Sequence, residues 1–227
     1  MVRVKICGVT TLDDALVAAR AGADMIGLNF YEKSPRSITP ENARELADNL
    51  RDILGDTCPL LIGVFVNADS DRITAIIEQV GLDAAQLSGD ESTEALRRLR
   101  GIAFKAIRPR DHAEALDNAT TFLRGAADHE NLPTLLLDAY HPNLYGGTGE
   151  AASVEVAVAV RELTPRLMLA GGLTPENVAE CVLASHPWGV DVASGVEVDG
   201  QPGRKDVAKV RAFIGAVRQV SVRSVHE

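Results

Sequence analysis

The chain has 227 residues, of which 46% are hydrophobic and 24% charged, and it carries a formal net charge of −9. A chain of this length buries roughly 70–75% of the surface that its unfolded form exposes, enough for one large core or two small ones. The acidic excess repels phosphate backbones and argues against nucleic acid as a general partner, though not against one local basic pocket. No apolar run approaches the roughly 20 residues that span a bilayer, so no membrane association is expected.

Residues 1–7 run directly into a strand-like segment and leave no room for a secretory signal, so a cytoplasmic protein is expected. The three cysteines, Cys7, Cys58 and Cys181, are scattered and odd in number, which supports neither a disulfide framework nor a metal knuckle. His112, His129, His141, His186 and His226 show no ligand spacing, and no metal site is expected.

Short apolar runs bounded by Gly, Pro, Asp or Asn recur at residues 3–8, 25–30, 60–66, 84–88, 103–107, 134–138, 167–171 and 190–193. Helical periodicity fills the intervals at about 11–21, 40–53, 70–79, 92–100, 111–125, 153–163, 175–184 and 205–218. Thr39-Pro40-Glu41 and Thr174-Pro175-Glu176 each read as a helix start, with a capping hydroxyl, Pro at the first helical position and an acid in the first turn. Continuous apolar strands imply a sheet covered on both faces, and strict alternation of strand and helix implies parallel strands. An open doubly wound sheet uses the same alternation, but eight units in this length fit a closed, single-domain (β/α)8 TIM barrel over residues 1–227.

In such a barrel the chemistry lies at the carboxyl ends of the strands. The first strand closes on Lys5-Ile6-Cys7-Gly8, and period-two geometry puts Lys5 and Cys7 on one face. A lone cysteine is ordinarily a small buried hydrophobe, but the strand-end position favours a base, with Lys5 as the cation that would lower its pKa. After the second strand, Arg36 stands where a guanidinium could grip a carboxylate through two parallel hydrogen bonds. The sixth strand ends on Asp138, a candidate general acid, and a long loop then leads to Gly146-Gly147-Thr148-Gly149. Gly171 and Gly172 follow the seventh strand, and Asp191, Ala193, Ser194 and Gly195 close the eighth. Glycine lets backbone amides approach an anion, and the loops after strands seven and eight are where barrels commonly hold phosphate, so a small phosphorylated substrate is expected.

Taken together, these segments resemble the phosphoribosylanthranilate isomerase family of tryptophan biosynthesis. The matching stretches are Lys5-Ile6-Cys7-Gly8, Ser34-Pro35-Arg36, Gln86-Leu87-Ser88-Gly89, Asp138 with Gly146-Gly147-Thr148-Gly149, Ala170-Gly171-Gly172-Leu173, and Asp191 through Glu197 with Pro202-Gly203-Arg204-Lys205-Asp206. The resemblance implies an Amadori rearrangement of N-(5'-phosphoribosyl)anthranilate to 1-(2-carboxyphenylamino)-1-deoxyribulose 5-phosphate. Asp138 would protonate the ribose ring oxygen, Cys7 would remove the C2 proton, Arg36 would bind the anthranilate end, and the glycine loops would hold the phosphate. It implies no cofactor, because the iminium formed from the substrate is the electron sink. Two departures bear on the lining of the aromatic part: Ser88 stands where the family usually has His, and Glu150-Ala151-Ala152-Ser153-Val154 replaces an aromatic segment.

Three rival readings remain. A histidine-pathway aminoimidazole isomerase would carry an aspartate in place of Cys7, and an indole-glycerol-phosphate synthase would need a catalytic lysine and glutamate. A catalytically silent phosphometabolite-binding barrel would have no need of both Cys7 and Asp138.

Overall fold

A computed structural model describes residues 1–99, 101–125, 129–138 and 149–223. The eight strands are β1 (Arg3–Cys7), β2 (Met25–Asn29), β3 (Leu60–Phe65), β4 (Ala84–Leu87), β5 (Ala103–Ile107), β6 (Leu135–Asp138), β7 (Leu167–Ala170) and β8 (Gly189–Val192). Every neighbouring pair is parallel, and β8 returns to β1 to close the barrel. Each strand end lies within one residue of its predicted bound.

The helices are α1 (Leu12–Ala21), α2 (Pro40–Leu54), α3 (Ser70–Val80), α4 (Thr93–Arg98), α5 (His112–Leu123), α6 (Gly149–Leu163), α7 (Val178–Ser185) and α8 (Val207–Arg223). Starts follow local chemistry. The Thr39 side chain accepts from the Asn42 amide with Pro40 in the first turn, as predicted, a cap of the kind that contributes about 1 kcal/mol. The predicted start of α7 is corrected by three residues. The Thr174 amide donates to Oδ1 of Asn177 at 2.8 Å while Nδ2 of Asn177 donates to the Gly172 carbonyl at 2.9 Å. This side chain holds residues 174–177 as a turn, so Pro175 lies outside the helix and α7 begins at Val178.

The core has two parts because strand side chains alternate. Outward residues such as Ile6, Ile26, Leu61, Leu137 and Val190 pack in the larger cluster, which includes helix residues such as Leu50, Ile77 and Phe213. Inward residues, among them Met25, Ile62, Phe104, Leu136 and Met168, fill the barrel interior. Every second residue of a strand therefore points to the axis, and the last inward residue of each strand belongs to the rim.

At the opposite end a polar knot ties the chain's beginning to its last helix. Asp24, just before β2, accepts from Nη1 of Arg3, the amide of Val4 and Nη2 of Arg218 on α8, each at 2.8 Å. Burial alone would raise the Asp24 pKa, but the bonds from Arg218, Arg3 and Val4 outweigh it and hold the carboxyl below 3.8. A depressed carboxyl contributes stability that is present above its unfolded pKa and lost as pH falls through the folded value. Asp24→Asn should therefore cost about 1–3 kcal/mol at pH 7 in urea unfolding. The gap from wild type should narrow as the pH drops below 3.8; a gap independent of pH would contradict this role.

Candidate active site

The carboxyl ends of the strands surround a cavity of about 640 Å³. It gathers Cys7, Arg36, Asp138, Gly171 and Gly172 with Asp191, Ala193, Ser194 and Gly195, which are all the predicted site residues except Gly146 and Gly147. Those two lie outside the described residues.

The deepest charges sit across the seam where the barrel closes. Lys5 of β1 is in register with Asp191 of β8, and Nζ lies 2.9 Å from Oδ1. Lys5 is wholly buried and Asp191 is 8% exposed. Burial opposes the Lys5 charge, yet Asp191 and Cys7 outweigh that cost and raise its pKa above the ordinary lysine value. Cys7 and Lys5 both lean over Gly27 of β2, where an added Cβ would lie 2.8 Å from Sγ and 3.1 Å from Nζ. Only glycine at this position leaves room for thiol and ammonium together.

Lys5 does pull the Cys7 pKa down, as expected, but burial outweighs it, so the expectation of a net lowered thiol is corrected. Burial pushes the thiol up, Lys5 pulls it down and Asp191 pushes it up again, leaving it above its ordinary value. Lys5 is already matched by a carboxylate, so its net effect on Cys7 is diluted.

Asp138 ends β6 with its side chain 27% exposed, and Oδ2 accepts from Nε of Arg108 at 2.6 Å. Arg108 was missed in the sequence, although it directly follows the β5 run and the strand-end rule covers it. Glu197 and Lys205 were also missed as individual residues, although both lie in stretches that carry the family resemblance. Glu197 accepts from Nε and Nη2 of Arg36 at 2.8 and 2.7 Å, from Nζ of Lys205 at 3.0 Å and from the Gly203 amide at 2.9 Å. Burial would raise the Glu197 pKa, but the bonds from Arg36, Gly203 and Lys205 hold it low. The two-toothed grip of Arg36 is thus made on Glu197 of the protein itself, and among the described residues its Nη1 has no partner.

The strand-seven and strand-eight ends form an amide surface. Ser194–Val196 is a 3-10 turn, and a Cβ at Gly195 would lie 1.9 Å from the Leu173 carbonyl oxygen, so the two loops touch there through bare backbone. Among the described residues the amides of Gly172, Ser194 and Gly195 have no acceptor. Donors facing a cavity in this way suit an anion. Within the described residues no cluster of three His, Cys, Asp or Glu side chains could hold a metal ion.

The Glu197 clamp is open to a direct test. The Lys205 side chain is fully buried, so Glu197→Gln strands a buried cation. The expected loss is about 3–5 kcal/mol in urea unfolding; a loss below about 1 kcal/mol would mean the pair is not the anchor of this wall.

Comparison with known proteins agrees with this geometry. Residues 4–216 match the family model described as N-(5'phosphoribosyl)anthranilate (PRA) isomerase. The N-(5'-phosphoribosyl)anthranilate isomerase of Geotalea uraniireducens is 44% identical over 94% of this chain and 97% of its own. That of Citrifermentans bemidjiense is 43% identical over 98% of this chain and 100% of its own. The crystal structure of phosphoribosyl anthranilate isomerase from Thermotoga maritima superposes with a TM-score of 0.81 at 35% identity, covering 96% of this chain and 100% of that one. A second structure, in complex with reduced 1-(o-carboxyphenylamino)-1-deoxyribulose 5-phosphate, gives a TM-score of 0.80 at 33% identity, with 96% and 100% covered. The chain belongs to the N-(5'-phosphoribosyl)anthranilate isomerase family.

Proposed function

We propose that Asp138 and Cys7 divide the proton transfers by which this isomerase of tryptophan biosynthesis converts N-(5'-phosphoribosyl)anthranilate to 1-(2-carboxyphenylamino)-1-deoxyribulose 5-phosphate. The observation that carries the assignment is their convergence on one cavity whose far wall is a set of free backbone amides. The substrate's phosphate rests on the amides of Gly172, Ser194 and Gly195, beside Gly171, Ala193 and Asp191. Arg36, held by Glu197, offers its outward edge to the anthranilate end. Gly146 and Gly147 keep the phosphate-loop role that the family resemblance gives them.

Asp138 protonates the ribose ring oxygen, and the C1–O bond breaks as the anilino nitrogen forms an iminium. Cys7, as thiolate, then takes the proton from C2. The electron pair of that bond moves into the iminium, which becomes an enolamine and tautomerises to the aminoketose. The iminium is the electron sink, so these steps draw on no cofactor. Burial favours the thiol form of Cys7 before the substrate ring opens. The cation generated beside it favours the thiolate, which couples activation of the base to ring opening.

The test is to generate the substrate in situ and follow the loss of its fluorescence. Wild type should turn over, and Cys7→Ala and Asp138→Asn should each lose roughly 10²–10⁴-fold. No turnover by wild type sinks the isomerase assignment, and a near-normal rate for either variant removes that residue from its role. The thiolate fraction grows with pH, and the free thiol lies above its ordinary value. The basic limb of kcat/KM should therefore still be rising at about pH 8.5; a plateau reached below that pH would contradict the assignment of Cys7 as base.

A further inference from the structure

Among the described residues three buried side-chain atoms have no hydrogen-bond partner: Oε1 of Gln86, Nε of Arg161 and Oγ1 of Thr164. The last two lie at and just past the end of α6, and of the three residues only Gln86 lines the cavity. Gln86 is 6% exposed, and its Nε2 donates to Oγ of Ser88 at 3.0 Å, so one end of the amide is anchored and the carbonyl is left over. The adjoining strands offer that carbonyl no donor side chain. The register partners of Gln86 are Val64 on β3 and Phe104 on β5, and Ala84 lies one inward step deeper. A buried carbonyl without a donor destabilises the fold, whereas an apolar side chain of the same length would not.

We infer that Oε1 of Gln86 accepts a hydrogen bond from the anilino N–H of the substrate, and that this bond strengthens when the ring opens to the iminium. The inference rests on the isomerase reading and deepens it, assigning a substrate atom to a residue which that reading leaves unused. The substrate's donors are the anilino N–H and the ribose hydroxyls, and the order of the strands separates them. The amides that suit the phosphate stand at the ends of β7 and β8, and Cys7 on β1 and Asp138 on β6 flank that arc. The atoms on which those two residues act, C2 and the ring oxygen, therefore lie between them. β4 stands opposite β8 across the barrel. A substrate that starts at the phosphate and passes its reacting carbons between Cys7 and Asp138 keeps the ribose hydroxyls on the phosphate side. The next donor towards β4 is the anilino nitrogen, and the ring beyond it is directed to the half of the rim that carries Arg36.

The chemistry favours the same atom. The anilino nitrogen keeps its hydrogen throughout, as an amine in the substrate, an iminium once the C1–O bond breaks, and an amine again in the enolamine and the aminoketose. The charge of the iminium makes its N–H a stronger donor, and charge-assisted hydrogen bonds are roughly twice as strong as neutral ones. A fixed carbonyl dipole thus stabilises the intermediate more than the bound substrate, which is the condition for raising kcat rather than only tightening binding. No proton passes to Gln86, and no covalent bond is made or broken there.

Gln86→Met keeps the length of the side chain and removes the acceptor. The single-turnover rate at saturating substrate should fall roughly 10- to 100-fold. In calorimetry, reduced 1-(2-carboxyphenylamino)-1-deoxyribulose 5-phosphate should bind the variant about 3- to 10-fold more weakly than wild type. The same compound with an ether oxygen in place of the anilino N–H should bind it no more weakly. The free variant should unfold at no lower urea concentration than wild type, since it has lost an unsatisfied group. Equal weakening of both ligands, an unchanged single-turnover rate or a clearly lower urea midpoint overturns the inference. Wild-type turnover reports separately on the isomerase reading. If wild type turns over and Gln86→Met matches it, this inference fails alone. If wild type does not turn over but Gln86→Met loses affinity for the N–H ligand only, the isomerase reading fails and the contact stands.

Discussion

A buried lysine faces a buried aspartate across the seam where the barrel closes, and the rim is arranged around the demands of that pair. Two charges this deep are tolerable only when they meet, and the parallel register of β1 on β8 brings them to 2.9 Å. The alternation that points Lys5 inward also points Cys7 inward one step nearer the rim. The thiol therefore inherits a site that is dry, crowded over Gly27 and already balanced in charge. The chemistry proposed for Cys7 follows from that inheritance: burial makes it a poor base by itself, and a cation formed from the substrate makes it a better one.

The other charges around the cavity divide into those committed to structure and those left over. Glu197, 6% exposed, binds Arg36, Lys205 and the Gly203 amide, and so ties the loop after β2 to the loop after β8. The buried pair of Lys105 and Glu91 does the same for the loops after β3 and β4. Glu91 accepts from the amides of Asn67 and Gly89, and Lys105 donates to the carbonyls of Leu87 and Gly89. With these groups saturated, the cavity-lining polar atoms that have no partner among the described residues include the buried Oε1 of Gln86 and the amides of Gly172, Ser194 and Gly195. Such a rim holds its shape before substrate arrives, which is what positioning a reactive intermediate requires.

Much of this was legible in the sequence because it depends on local pattern. Strands such as Leu60–Phe65 announce themselves as apolar runs covered on both faces, and Cys7 and Asp138 stand out because they end such runs. The start of α7 was misread because the decisive group is the Asn177 side chain, whose bonds to Thr174 and Gly172 exclude Pro175 from the helix. The pairings were less accessible. Lys5 and Asp191 are 186 positions apart, and Arg36 and Glu197 are 161 apart. No local signal matches one with the other; the register of the closed barrel does. The upward shift of the Cys7 pKa was missed because its largest cause is burial, which outweighs the pull of Lys5 and to which Asp191 adds, and neither is visible in the local sequence.

The central claim is that the seam pair occupies the charge of Lys5 and leaves Cys7 a thiol in the unliganded protein. The most direct measurement is the pH dependence of iodoacetamide alkylation of the free protein, with peptide mass spectrometry to separate Cys7 from Cys58 and Cys181. Cys181 is itself pushed up to about 11 by burial. The account predicts that Cys7 titrates above the ordinary thiol value of about 8.5 and that saturating phosphorylated product analogue shields it. A Cys7 titrating at or below that value would mean that Lys5 acts on the thiol rather than on Asp191, and would contradict the account.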